Sequence, residues 1–192
     1  MDLEVEQDIE TQIKQLKAEV TELKKRLAEV EDCNRDQLSM AVVSGDMDRI
    51  LATMIIALAA AAMDTEVKLF FSFWSLSALR DPKKKAKDKN FISRMFGMML
   101  PTGKQKLKLS KLNMAGIGPA MIKTLMKKQG VLSLEDMFKQ AGELGIEITV
   151  CEMSMHLMGF KKEEIIDYPH LRYAGAATFV ADASASSAQL FI

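Results

Sequence analysis

Cysteine is scarce in this 192-residue chain, which holds two, Cys33 and Cys151. Two thiols build no disulfide framework, so a reducing, cytoplasmic interior is expected, with both thiols free. Histidine is as rare, and Cys151, His156 and His170 match no compact zinc spacing, so no metal is expected. Long hydrophobic runs are missing too. The longest, MIIALAAAAM at 54–63, falls short of the roughly 20 residues that cross a bilayer. The opening MDLEVEQDIE is acidic and has no apolar signal core, which argues against secretion. No aromatic residue interleaves the lysines of RDPKKKAKDKN at 80–90, which disfavours nucleic acid as a partner.

What is present begins with a charge pattern that the formal net charge of zero conceals. Residues 80–128 carry 14 Lys and Arg against Asp81 and Asp88, so a basic middle interrupts an acidic protein. Such a field suits acidic partners, phosphate-bearing ligands or an anionic membrane surface; alternatively, 80–90 is a solvated basic linker. At 48% hydrophobic residues the chain is long enough for one good core plus an appendage.

The appendage is the first 35 residues. Ile9, Ile13, Leu16, Val20, Leu23, Leu27 and Val30 alternate spacings of four and three, the seam of a coiled-coil helix. On a parallel pair Glu19 would face Lys24 and Arg26 would face Glu31, favouring a homo-oligomer over a fold-back onto the domain. From residue 36 on, strand, turn, helix and strand follow in order: Leu38–Val43, a break at Ser44, Gly45 and Asp46, a helix Met47–Met63 capped by Asp46, and a strand Val67–Phe73. The helix is apolar on nearly every side and needs cover on both. FISRMFGMMLPTG at 91–103 is too apolar for an exposed loop. Pro119 suits the first turn of a helix ending at Lys128, Ser133 caps the next helix, and Ile146–Cys151 is a third strand. A helix from Ser154, a helical KKEEIID, a loop at Pro169, a last helix within Ala174–Ala185 and a closing strand at 188–192 complete an α/β sandwich with a mostly parallel sheet.

In open α/β sheets ligands bind beyond the carboxyl ends of the strands. Cys151 ends a predicted strand just ahead of a helix start, where a thiol pKa can fall, although the adjacent Glu152 opposes a second anion. Position alone leaves Cys151 open between a reactive and a buried structural thiol.

Five stretches bear on that choice: VVSGDMDR at 42–49, EVKLFFSFWSL at 66–76, MFGMMLPTG at 95–103, KLNMAGIGPAMIKTLMKK at 111–128 and CEMSMHLMGFKKEEIID at 151–167. Together they resemble the DsrE/DsrF-like family of small sulfur-relay proteins, in particular its methionine-rich branch labelled peroxiredoxin-like. The resemblance runs from about residue 37 to the end and leaves out the heptad segment. It implies a DsrE-like three-layer α/β fold, no cofactor, and a strand-end cysteine holding sulfane sulfur as persulfide or thiosulfonate. It also implies exchange with a small sulfur-carrier protein, as a sulfurtransferase or a carrier. The matching cysteine is Cys151. On this reading Phe73, Trp74, Met98, Met99, Met114 and Met155 wall the site, while Ser44, Asp46 and Ser154 either orient a donor or serve only as turn and cap residues. The sulfur must be reachable. Alternatives are a thiol peroxidase using Cys33 as resolving thiol, and a non-enzymatic oligomeric adaptor with peripheral membrane contact through the basic linker and the patches at 91–100 and 112–126.

Overall fold

The computed structural model describes residues 2–33, 35–84, 95 and 100–192, with side chains described for 12–28 and, within those ranges, from 36 onward. Two compact units are present, residues 1–35 and 36–192. The first is one helix, α1 (Asp2–Cys33). Its seam residues Ile13, Leu16, Val20, Leu23 and Leu27 all stand exposed, and Arg26 bonds Glu22 one turn back at 3.0 Å. The side chains of Ile9, Val30, Glu31 and Cys33 lie outside the described residues.

The second unit runs β1 (Arg35–Val42), α2 (Met47–Ala61), β2 (Glu66–Phe71), a 3-10 helix (Phe73–Leu79), α3 (Ile117–Lys128), α4 (Leu134–Glu143), β3 (Glu147–Cys151), α5 (Glu152–Leu157), β4 (Leu171–Ala174), α6 (Ala176–Ser184) and β5 (Ser186–Phe191). The strands form one sheet in the order β4-β3-β2-β1-β5. The pairs β1–β2, β2–β3 and β3–β4 are parallel. At the β1 edge Ile192 donates to Ala41 O and accepts from Val43 N–H, the alternate-residue pattern of parallel strands. Helices flank the sheet, as the sandwich expectation requires.

Strand alternation gives the two faces different chemistry. Leu38, Met40, Val42, Leu69, Phe71, Ile148 and Val150 point to one side. There they join the main core with Met47, Ile50 and Met54 of α2 and Met137 and Phe138 of α4. Gln37, Ser39, Lys68, Phe70 and Thr149 point to the other, where α6 covers them. Phe70 meets Phe179 at 5.4 Å between ring centres, Lys68 Nζ reaches Asp182 at 3.0 Å, and Gln37 Nε2 donates to the Asp182 carbonyl at 2.9 Å. One face is held by apolar packing and the other largely by polar contacts.

Several boundaries depart from the expectations. β2 ends at Phe71, because Ser72 N–H bonds Val42 O and the chain then turns into the 3-10 helix, where Ser75 Oγ donates to the Val42 and Ser72 carbonyls. KKEEIID is not a helix beyond the single turn Lys162–Glu164; its continuation pairs antiparallel with Arg80 through Ile165. The stretch after Pro169, expected as a loop, contains β4, which pairs with β3. Asp46 holds the N-cap position of α2 but makes no cap bond, since its carboxylate accepts from Ser44 Oγ at 2.9 Å. Ser133 does cap α4, accepting from Asp136 N–H.

The basic stretch 80–90 does not begin as a solvated linker. Arg80 is buried, pairs with buried Glu164 at 3.5 Å and lies 4.6 Å from the Phe160 ring centre; Asp81 N–H donates to Glu164 O. Residues 85–90 of the stretch lie outside the described residues. At its far side Gly103 N–H donates to Ser77 O at 3.0 Å, and a Cβ on Gly103 would touch Arg80 O and the Pro82 ring at 3.0 Å. Arg80, Pro82 and Gly103 are therefore held at one corner of the domain.

Removing one partner of a buried ion pair strands the other charge, so Glu164→Ala should cost roughly 3–5 kcal/mol. Urea denaturation of the variant against the parent checks this, and a loss below about 1 kcal/mol, the worth of an exposed pair, would show that the pair is solvated.

Candidate functional site

The register between β2 and β3 assembles the site. Phe71 lies beside Val150, so the next step along both strands sets Ser72 beside Cys151, and on the far side Cys151 pairs with Ala174 of β4. Cys151 is the last residue of β3 and the N-cap residue of α5. By alternation it shares the Thr149 face, the one covered by α6, and is not part of the main apolar core.

The sulfur has hydroxyl company. Ser154 Oγ donates to Cys151 Sγ at 3.3 Å, and Ser154 Oγ and Ser72 Oγ are hydrogen-bonded at 2.7 Å. All three residues are buried, Cys151 at 1% exposure. Burial pushes the thiol pKa up. Against it stand the Ser154 hydroxyl and amide, the Ser72 hydroxyl and the Met153 amide, and together they prevail, holding the thiol below its ordinary value. Glu152, which the sequence sets against a thiolate, directs its carboxylate to Lys162 Nζ at 2.8 Å, and Lys162 in turn lies over the Tyr173 ring.

Of the expected site residues the structure brings Cys151 and Ser154 into contact, and Met155 is buried in the core next to them. Ser44 and Asp46 bond each other in the β1–α2 turn. Between them Gly45 is so close to the loop after β2 that a Cβ would lie 2.4 Å from the Trp74 carbonyl oxygen. Phe73 and Trp74 follow Ser72 directly but are open to solvent, Trp74 at 51%, so they form an exposed rim instead of a dry wall. Phe73 holds a left-handed backbone, φ 49°, a strained conformation for a bulky residue that surrounding contacts must impose. Met114 is exposed; Met98 and Met99 lie outside the described residues.

Ser72 escaped the sequence. Its signal was available: a hydroxyl closing the apolar run VKLFF, on the strand that neighbours the cysteine strand. Among the described residues no group of three or more His, Cys, Asp and Glu comes together, and His156 and His170 are both exposed.

A model of the DsrE/DsrF/DrsH-like family matches residues 34–191. The chain belongs to that family. Its relatives include a protein of Bacillus subtilis named uncharacterized protein YrkE, 44% identical over 154 residues that make up 80% of this chain and 95% of that protein. Another is the sulfur carrier protein DsrE2 of Allochromatium vinosum, 34% identical over 160 residues, 81% of this chain and 98% of that one. Both matches leave a length of this chain similar to that of the first unit unaccounted for.

If the hydroxyls hold the thiol pKa down, thiolate absorbance in the parent should appear at lower pH than for a free cysteine. Ser154→Ala should move that midpoint upward, and Ser72→Ala should do so by less. Identical midpoints in the parent and both variants would take the hydroxyl chain out of the electrostatics.

Proposed function

We propose that the protein is a sulfur-relay component that accepts sulfane sulfur on Cys151 and hands it to an acceptor thiol. The observation that carries this reading is the strand-end thiol that accepts a hydrogen bond from Ser154 Oγ, itself bonded to Ser72 Oγ, and is held below its ordinary pKa, in a chain of the family that includes a sulfur carrier protein.

The chemistry needs no cofactor. The Cys151 thiolate attacks the outer sulfur of a donor such as polysulfide or thiosulfate; an Sγ–S bond forms, the donor S–S bond breaks, and the remainder leaves as an anion. One sulfur–sulfur bond or its equivalent is exchanged for another, so no outside oxidant or reductant enters. With tetrathionate the transferred group carries its sulfonate along. In the second half the acceptor thiolate attacks the outer sulfur and Cys151 departs as thiolate. A lowered pKa makes Cys151 a better leaving group, which favours release. Ser154 and Ser72 position and stabilise the anion in both halves. Ser44 and Asp46 hold the turn against the Trp74 loop.

Because Sγ is buried, transfer requires the rim to open. The strained Phe73 junction beside Ser72, pressed from behind by the Gly45 turn, is the segment we assign to that movement. The acceptor is a small sulfur-carrier protein that reaches the strand ends across the exposed rim. Self-association through the exposed α1 seam supplies the oligomer, and a reducing compartment suits a persulfide carrier.

Intact mass spectrometry after incubation with thiosulfate, tetrathionate or polysulfide tests the assignment. Added sulfur is expected on the parent and on Cys33→Ser, and absent from Cys151→Ser. Uptake retained by Cys151→Ser, or missing from the parent with every donor, would refute it.

A further inference from the structure

Helix α3 has one apolar face more than the described residues cover. Gly118, Pro119, Ile122 and Met126 face the domain: the first two are buried and the others pack against the core. Ile117, Met121 and Leu125, spaced four apart, form a second stripe that faces solvent, Ile117 at 64% and Met121 at 56% exposure. The turn before the helix extends the stripe, because Leu112 at 75% and Met114 are exposed as well.

That turn is held open by its backbone. Leu112, Met114 and Ala115 all have φ between 41° and 55°, a left-handed region that costs such residues energy, and Gly116 follows at 97°. Gly118 fixes the arrangement: a Cβ there would lie 2.1 Å from the Leu112 carbonyl oxygen, so no larger residue fits while Leu112 keeps its place. Strain maintained by close packing presents two large apolar side chains to water.

The charge around the stripe identifies what covers it. From residue 89 to 134 the chain has no Asp or Glu, and seven lysines lie between 104 and 128. Lys111 adjoins Leu112, and Lys127 and Lys128 close the helix with exposed side chains. The nearest carboxylates in the fold are engaged or set to one side, Asp48 by Ser110 and Glu135 and Asp136 across a cavity from Lys127, so two copies meeting through this face would bring chiefly lysines together, which disfavours self-pairing. An apolar stripe rimmed by lysines is what an interfacial helix offers to an anionic lipid surface: side chains enter the acyl boundary while ammonium groups stay among the headgroups. No described helix is long and apolar enough to cross a membrane, so the contact is peripheral.

We infer that the face formed by Leu112, Met114, Ile117, Met121 and Leu125 with Lys111, Lys127 and Lys128 docks the protein on an anionic membrane surface. This stands apart from the Cys151 assignment and survives if that fails.

Vesicle co-sedimentation of the full chain tests it, with phosphatidylcholine alone and mixed with phosphatidylglycerol, alongside size-exclusion chromatography. The parent should pellet with the anionic vesicles only and lose binding as salt rises. Ile117→Ser/Met121→Ser should bind at least tenfold more weakly, with unchanged elution. Lys127→Gln/Lys128→Gln should bind more weakly and with a shallower salt dependence, which guards against a folding defect in the first variant. Equal pelleting with both vesicle types, parent-like binding by both variants, or a stripe variant that dissociates a larger species without altered vesicle binding would overturn the inference; the last would assign the face to a second copy.

Discussion

The hydroxyl chain that runs from Ser72 through Ser154 to the Cys151 sulfur depends on one strand pairing. Parallel pairing of β2 with β3 brings Ser72 level with Cys151, and the first turn of α5 folds Ser154 back onto the sulfur. A thiol buried to this degree would ordinarily resist ionisation. Hydroxyl and amide donors reverse that tendency because hydrogen bonds to an anion strengthen where water is thin. Shift the register by one residue and the cysteine turns to the opposite face, into the methionine- and phenylalanine-lined core, where no such donors wait.

The division of the sheet into unlike faces explains why the thiol can sit where it does. On the α2 and α4 side, large apolar groups pack closely against the sheet. On the α6 side, a nine-residue helix is fastened by Asp182 to Lys68 and Arg172 and by its backbone to Gln37. Polar fastening tolerates small shifts better than interdigitated packing does. Movement at the strand ends is therefore compatible with an intact core, and a thiol on the α6 face can be uncovered without unfolding the other.

Much of this was legible in the sequence, and the failures have physical reasons. β1, α2 and β3 were readable because each is long or periodic enough for its burial pattern to appear locally. The place of Cys151 was readable because a strand end followed by a helix start is a local signal, while position alone left its role open. β4 was not: Leu171–Ala174 is short, and only its pairing with β3 makes LRYA a strand. KKEEIID has the composition of a helix, but Arg80 and Ile165 pair across a sequence gap that no local preference reports. Asp46 stands where a cap belongs, yet the nearer Ser44 hydroxyl claims its carboxylate. Ser72 required knowledge of which strands are neighbours, and that is a property of the sheet.

The stem that joins Arg80 and Pro82 to Gly103 ties together parts of the chain that lie far apart in sequence. Asp81 N–H bonds Glu164 O and Gly103 N–H bonds Ser77 O, so the stem is fastened both to the turn Lys162–Glu164 and to the 3-10 helix after β2. A side chain at Gly103 would press on the Arg80 carbonyl and the Pro82 ring, so a substitution there would disturb the same corner that holds the buried Arg80–Glu164 pair.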